Sequence, residues 1–177
     1  LGALQDTRLI YEFGKRMAYE CKRMGVHVSF SPVLDVNNNP KNPVIGNRSF
    51  SSDPQRVIAC ATAYMQGLQD NGVLATGKHF PGHGDTDTDS HTGLPIISYS
   101  RNRLDSLELV PFKALVKEGI GSLMIAHLNL PQLDNTPFIP STLSRPIVTG
   151  ILRNEWKYDG LLFTDALNMS GVRSHFK

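Results

Sequence analysis

The chain has 177 residues, 40% hydrophobic and 19% charged, enough to bury a sizeable core and unlike the composition of disordered or fibrous chains. Its 18 basic and 16 acidic residues leave a formal net charge of +2 with no basic stripe, so nucleic acid is not expected as a partner. Apolar runs such as residues 160–163 and 122–126 fall far short of the roughly 18 to 20 residues of a membrane span.

Apolar residues at Leu9, Ile10, Phe13, Met17, Cys21 and Met24 recur at three-and-four spacing, which predicts an amphipathic helix over residues 4–24, ended by Gly25. Residues 26–32 read as a buried strand. Ser52-Asp53-Pro54 supplies a cap and an early proline for a second helix that runs to Asn71 and stops at Gly72. The second strand covers residues 73–79. A third helix over residues 101–118 tolerates Pro111 only as a kink or as a break between two shorter segments. After a third strand at residues 121–127, Ser144-Arg145-Pro146 opens a fourth helix through Trp156, and residues 161–165 form the fourth strand. The two cysteines, Cys21 and Cys60, lie in helical patterns with no metal-ligand spacing around them and read as free thiols. No signal peptide is visible. Leu1 already stands in a helical pattern, which implies natural sequence upstream.

Strict alternation of helix and strand implies a parallel sheet covered by helices, either doubly wound or a (β/α)8 barrel. Polar residues follow each strand: Asp35, then Lys78 and His79, then His127 and Asn129, then Asp165 and Asn168. A barrel keeps its chemistry there, because all its strand-to-helix loops open on one face. Four strands make half a barrel, so residues 1–177 are expected to be a central portion of about four β/α units whose N- and C-terminal parts lie in other sequence.

The densest chemistry lies in Lys78-His79-Phe80-Pro81-Gly82-His83-Gly84 and the following Asp85-Thr86-Asp87-Thr88-Asp89-Ser90-His91. Asp85, Asp87 and Asp89 have the one-three-five spacing of a calcium loop. However, Ser90 and Ile96 stand where that loop needs glycine and glutamate. His79 and His83 would suit zinc only on a helix, which Pro81, Gly82 and Gly84 oppose, so no metal is expected. Asp85 and Asp87 read as loop decoration. Lys78 and His79 end an apolar strand and should point into the barrel mouth, while glycine hinges and an Asp-x-His pair suit a mobile catalytic loop.

These residues resemble the signature of glycoside hydrolase family 3, in its bacterial β-N-acetylglucosaminidase branch. The blocks Ser31-Pro32-Val33-Leu34-Asp35, Ile45-Gly46-Asn47-Arg48-Ser49-Phe50 and Phe163-Thr164-Asp165-Ala166-Leu167-Asn168-Met169 match in the same order. The resemblance implies a (β/α)8 barrel that hydrolyses terminal β-linked N-acetylglucosamine of peptidoglycan- or chitin-derived saccharides through a glycosyl-enzyme, without a cofactor. It assigns the nucleophile to Asp165, the acid/base to His91 with Asp89 as its orienting partner, and sugar-hydroxyl contacts to Arg48, Lys78 and His79. The family's Asp-x-Glu-Gly-Gly segment is absent here, so part of the sugar pocket is expected outside this sequence, and a C-terminal domain is a further possibility.

The roles also have physical reasons. A retaining mechanism needs a carboxylate to attack the anomeric carbon and a second group to protonate the leaving oxygen and then deprotonate water. Histidine, with an ordinary pKa of about 6.5, suits the second task without being shifted. A carboxylate two residues away can fix its tautomer. Other readings stay open: Arg48 as a loop brace, Asp165 as a helix cap, His127 as pocket or satisfied interior histidine, and Asp35 as a structural loop aspartate. The rival activities are a β-glucosidase, a β-N-acetylglucosaminide phosphorylase of the same fold, or a catalytically idle sugar-binding scaffold.

Overall fold

A computed structural model describes residues 1–86, 93–174 and 176. Helix α1 spans Thr7–Arg23 and starts one turn later than its apolar pattern suggests, because the Asp6 side chain caps it by accepting from the Arg8 N–H. Strand β1 is short, Val28–Ser29. Helix α2, Pro54–Gln69, is capped by Asp53 and has proline in its first turn, as its sequence predicts. Strand β2 covers Leu74–Phe80.

The predicted third helix is two: α3 at Arg101–Ser106 and α4 at Leu109–Lys117. The break falls at Leu107 and Glu108, upstream of Pro111. The proline thereby lies in the first turn of α4, where its missing N–H costs nothing. Strand β3 is Ser122–Ile125, and the predicted fourth helix is a π-helix over Pro146–Glu155. Strand β4, Leu161–Thr164, is followed by a single helical turn, α5, at Ser170–Arg173.

The four strands form one parallel sheet in the order β1-β2-β3-β4. A doubly wound sheet reverses its strand order at a switch point; here each strand simply adds beside the last, as in successive barrel units. Helix α1 packs on α2, and α2 on α4, continuing a ring outside the sheet. Gly14 and Gly67 permit the first contact: a Cβ on Gly14 would meet the Tyr64 carbonyl, and one on Gly67 the Tyr11 carbonyl. The core between sheet and helices holds Leu34, Met65, Leu68, Ala75, Leu115, Leu123 and Phe80. The Phe80 ring meets Phe112 and Trp156 edge to face at 5.5 and 5.7 Å. The register between β2 and β3 shifts between Gly77 and Phe80, where β2 delivers Lys78 and His79 to the rim.

Candidate active site

A cleft of about 440 Å³ opens at the C-terminal ends of the strands. Arg48, Lys78, His79 and Asp165 all line it, with Phe30, Val44, His83, Met124, Thr164 and Ala166. Four of the six residues selected from the sequence therefore meet in one cavity, although they come from a loop, the end of β2 and the segment after β4. The other two, Asp89 and His91, lie outside the described residues.

Asp165 follows β4 directly, and its N–H continues the ladder by donating to the Ile125 carbonyl at 2.9 Å. Its Oδ1 accepts from the Ala166 N–H at 2.8 Å, which fixes the carboxylate at the cleft rim. The helix-cap alternative fails, since α5 begins at Ser170 with Met169 as its cap residue.

Arg48 ends a short 3-10 turn, Gly46–Arg48, entered through Gly46 at a φ of 41°. Its Nη1 donates to the Val44 carbonyl at 3.3 Å, and its Nη2 lies 3.4 Å from His79 Nε2. Among the described residues no carboxylate pairs with it, so the guanidinium braces its loop only through a carbonyl. Lys78 is half-buried, and its ammonium has no hydrogen-bond partner among the described residues. Burial, then repulsion from Arg48, pulls its pKa below the ordinary lysine value, against the opposite pull of Asp165 and Asp35.

Sequence reasoning undervalued Asp35 and His83. Asp35 is 0% exposed and receives donors from β2 and the turn after it: the His79 N–H at 3.1 Å, His79 Nδ1 at 2.7 Å and the His83 N–H at 2.6 Å. Burial pushes its carboxyl up, but the His79 ring and the His83 N–H outweigh this and hold the pKa below the ordinary aspartate value. The loop reading of Asp35 is right in that it does not line the cleft, yet it supports residues that do. His83, 2% exposed, shares a hydrogen bond of 2.7 Å between Nδ1 and Thr86 Oγ1, and its carbonyl accepts from Asn42 Nδ2 at 2.7 Å. A polar residue just past a strand end was the available signal for Asp35; nothing in the Pro81-Gly82 turn announces the burial of His83.

His127 resolves to the interior alternative. It is fully buried, its Nδ1 faces Thr142 Oγ1 at 2.8 Å, and Nε2 donates to the Ala166 carbonyl at 3.0 Å. Asn129 donates to the Ile139 carbonyl, away from the cleft. Among the described residues no group of three or more His, Cys, Asp or Glu side chains is arranged for a metal ion, and no helix is long and apolar enough to cross a membrane.

Four parallel β/α units with their polar side chains gathered at the strand ends define a portion of a (β/α)8 barrel. The chain belongs to glycoside hydrolase family 3: residues 1–177 match the Glycosyl hydrolase family 3 N terminal domain, as the sequence blocks imply. It is 40% identical over 185 residues to beta-hexosaminidase A of Pseudoalteromonas piscicida, covering 99% of this chain and 30% of that protein. It is also 40% identical to a beta-hexosaminidase of Tolumonas auensis, covering 95% of this chain and 49% of that protein. The solved glycoside hydrolase family 3 beta-N-acetylglucosaminidase from Paenibacillus sp. str. FPU-7 superposes with a TM-score of 0.95 at 43% identity, covering 99% of this chain and 33% of that one. The chain thus spans half or less of the length of these relatives.

Proposed function

We propose that the protein carrying this chain is a retaining exo-β-N-acetylglucosaminidase acting on terminal β-linked N-acetylglucosamine of peptidoglycan- or chitin-derived saccharides. The observation that carries the reading is the convergence of Asp165, Lys78, Arg48 and His79 on one cleft, with the Lys78 ammonium left without a hydrogen-bond partner among the described residues. A half-buried cation without a partner is suited to a ligand's oxygen, and the relatives named beta-hexosaminidase supply the substrate class.

In this proposal Lys78, Arg48 and His79 hold sugar hydroxyls, and Asp165 attacks the anomeric carbon to form a glycosyl-enzyme. His91 protonates the departing oxygen and then takes a proton from the incoming water, with Asp89 orienting its ring. Residues 1–177 supply a central part of the barrel, and other sequence supplies the remaining strands and the rest of the sugar pocket.

The test is turnover of aryl N-acetylglucosaminide against aryl glucoside by the whole protein, with and without phosphate. Release of free N-acetylglucosamine with retained configuration is expected. Preference for the glucoside, or sugar 1-phosphate as the main product, would replace this reading with one of its rivals.

A further inference from the structure

Asp35 is withdrawn from the cleft, yet it touches His79 and His83, which line it, and Ser49, the neighbour of Arg48. Its side chain holds His79 and His83, and its own carbonyl accepts from Ser49 Oγ at 2.6 Å, the residue after Arg48. One residue of the segment after β1 thus ties the loop of Arg48 to the end of β2 and the turn that follows it.

The hydrogen bonds also specify a proton. A carboxylate only accepts, so the 2.7 Å contact with Asp35 Oδ2 requires a proton on His79 Nδ1. A guanidinium only donates, so Arg48 Nη2, 3.4 Å from Nε2, faces a lone pair there. With a donor on one side and an acceptor on the other, the ring has one tautomer that satisfies both.

We propose that Asp35 is a positioning residue that locks His79 as the neutral Nδ1–H tautomer, so that Nε2 presents an acceptor beside the donors Arg48 and Lys78. This rests on the glycosidase reading for its substrate. A sugar hydroxyl seated there donates to His79 Nε2 and accepts from Arg48 or Lys78, using both its capacities. The site therefore selects a hydroxyl over a group that can only accept, such as fluorine, because fluorine has no proton to donate to Nε2, which is left with only the long 3.4 Å contact from Arg48.

Asp35→Asn separates position from proton. The amide oxygen can still accept the backbone N–H groups of His79 and His83, while its NH2 faces Nδ1 and drives the proton to Nε2, donor against donor with Arg48. Long-range proton–nitrogen NMR of the whole protein, with the His79 signal assigned by its loss in His79→Gln, reads the tautomer directly. Wild type should show a protonated Nδ1 and a bare Nε2 near neutral pH, and Asp35→Asn the reverse. In kinetics, Asp35→Asn should lower kcat/KM about tenfold or more. It should also narrow the discrimination against a deoxyfluoro substrate.

A wild-type ring protonated at Nε2, or at both nitrogens, overturns the proposal, and this measurement needs no variant to fold. An Asp35→Asn protein with an unchanged tautomer and kcat/KM within about twofold overturns it as well. If the protein proves not to cleave N-acetylglucosaminides, the tautomer still reads out, so failure of the activity and failure of the positioning role are told apart.

Discussion

His127 holds the residue that holds the proposed nucleophile. Its Nε2 donates to the Ala166 carbonyl at 3.0 Å, while the N–H of the same Ala166 binds Asp165 Oδ1 at 2.8 Å. The end of β3 is thereby fastened to the turn that follows β4. Removing the fully buried ring deprives the Ala166 carbonyl and the half-buried Thr142 hydroxyl of their partner and leaves a gap, so His127→Ala should cost about 1 to 3 kcal/mol of stability. Because the substrate contacts are untouched, kcat should fall more than KM rises. Urea unfolding and steady-state kinetics of the whole protein check both, and an unchanged kcat would confine His127 to a packing role.

Asp165→Asn should abolish turnover by roughly three orders of magnitude while leaving the fold intact, because an amide oxygen is too weak a nucleophile for the anomeric carbon. In wild type a slow fluorosugar should label Asp165. Mass spectrometry that finds the label on another carboxylate would remove Asp165 from its role.

His91→Ala should slow substrates with poor leaving groups about a hundredfold or more, and activated aryl glycosides far less, since only the former need a proton to depart. Asp89→Asn should show a weaker version of the same pattern. The check is the dependence of kcat on leaving-group pKa. Equal losses across the series would give His91 a positioning task instead.

Much of this site could be read from the sequence because strand ends announce themselves. Lys78 and His79 terminate an apolar strand, and Asp165 terminates another, so their arrival at one rim follows from parallel topology alone. Periodicity does not separate an α-helix from a π-helix over ten residues, and so the π character of Pro146–Glu155 was not legible. Nor was the position of the break before α4: Pro111 signals an irregularity, but its tolerance in a first turn allows the break to fall either before it or at it. Asp35 needed three dimensions, since its partners stand 44 and 48 residues away.

The same buried aspartate sets a pH dependence. Its folded pKa lies below the ordinary value, so its stabilising contribution is complete above the unfolded value of about 3.9 and is lost as pH falls through the folded one. Glu108 works in the opposite sense: burial, outweighing its Arg103 pair, raises its pKa and makes its ionised form a cost. Comparing wild type with Asp35→Asn cancels the Glu108 contribution. Wild type should lose more stability than the variant on acidification below about pH 4, measured by urea midpoints. Parallel curves would mean that Asp35 is not ionised in the folded protein.

Among the described residues β1 pairs only with β2, and β4 only with β3, so the outer backbone groups of both edge strands lack strand partners. Large apolar side chains stand exposed nearby: Phe30 just past β1 at 49%, Leu161 of β4 at 55%, and Leu9 and Phe13 on α1. Open edges and exposed apolar surface favour association between copies. A cleft lined from a few strand ends also holds a sugar less firmly than a closed ring of loops, and misorientation forfeits much of the rate. Residues 1–177 expressed alone are therefore expected to aggregate and to leave an aryl N-acetylglucosaminide uncleaved, whereas a longer protein with sequence on both flanks turns it over. Size-exclusion chromatography and the aryl-glycoside assay decide it: a soluble, near-fully active monomer of these residues would mean that the cleft of Asp165, Lys78, Arg48 and His79 needs no further strands.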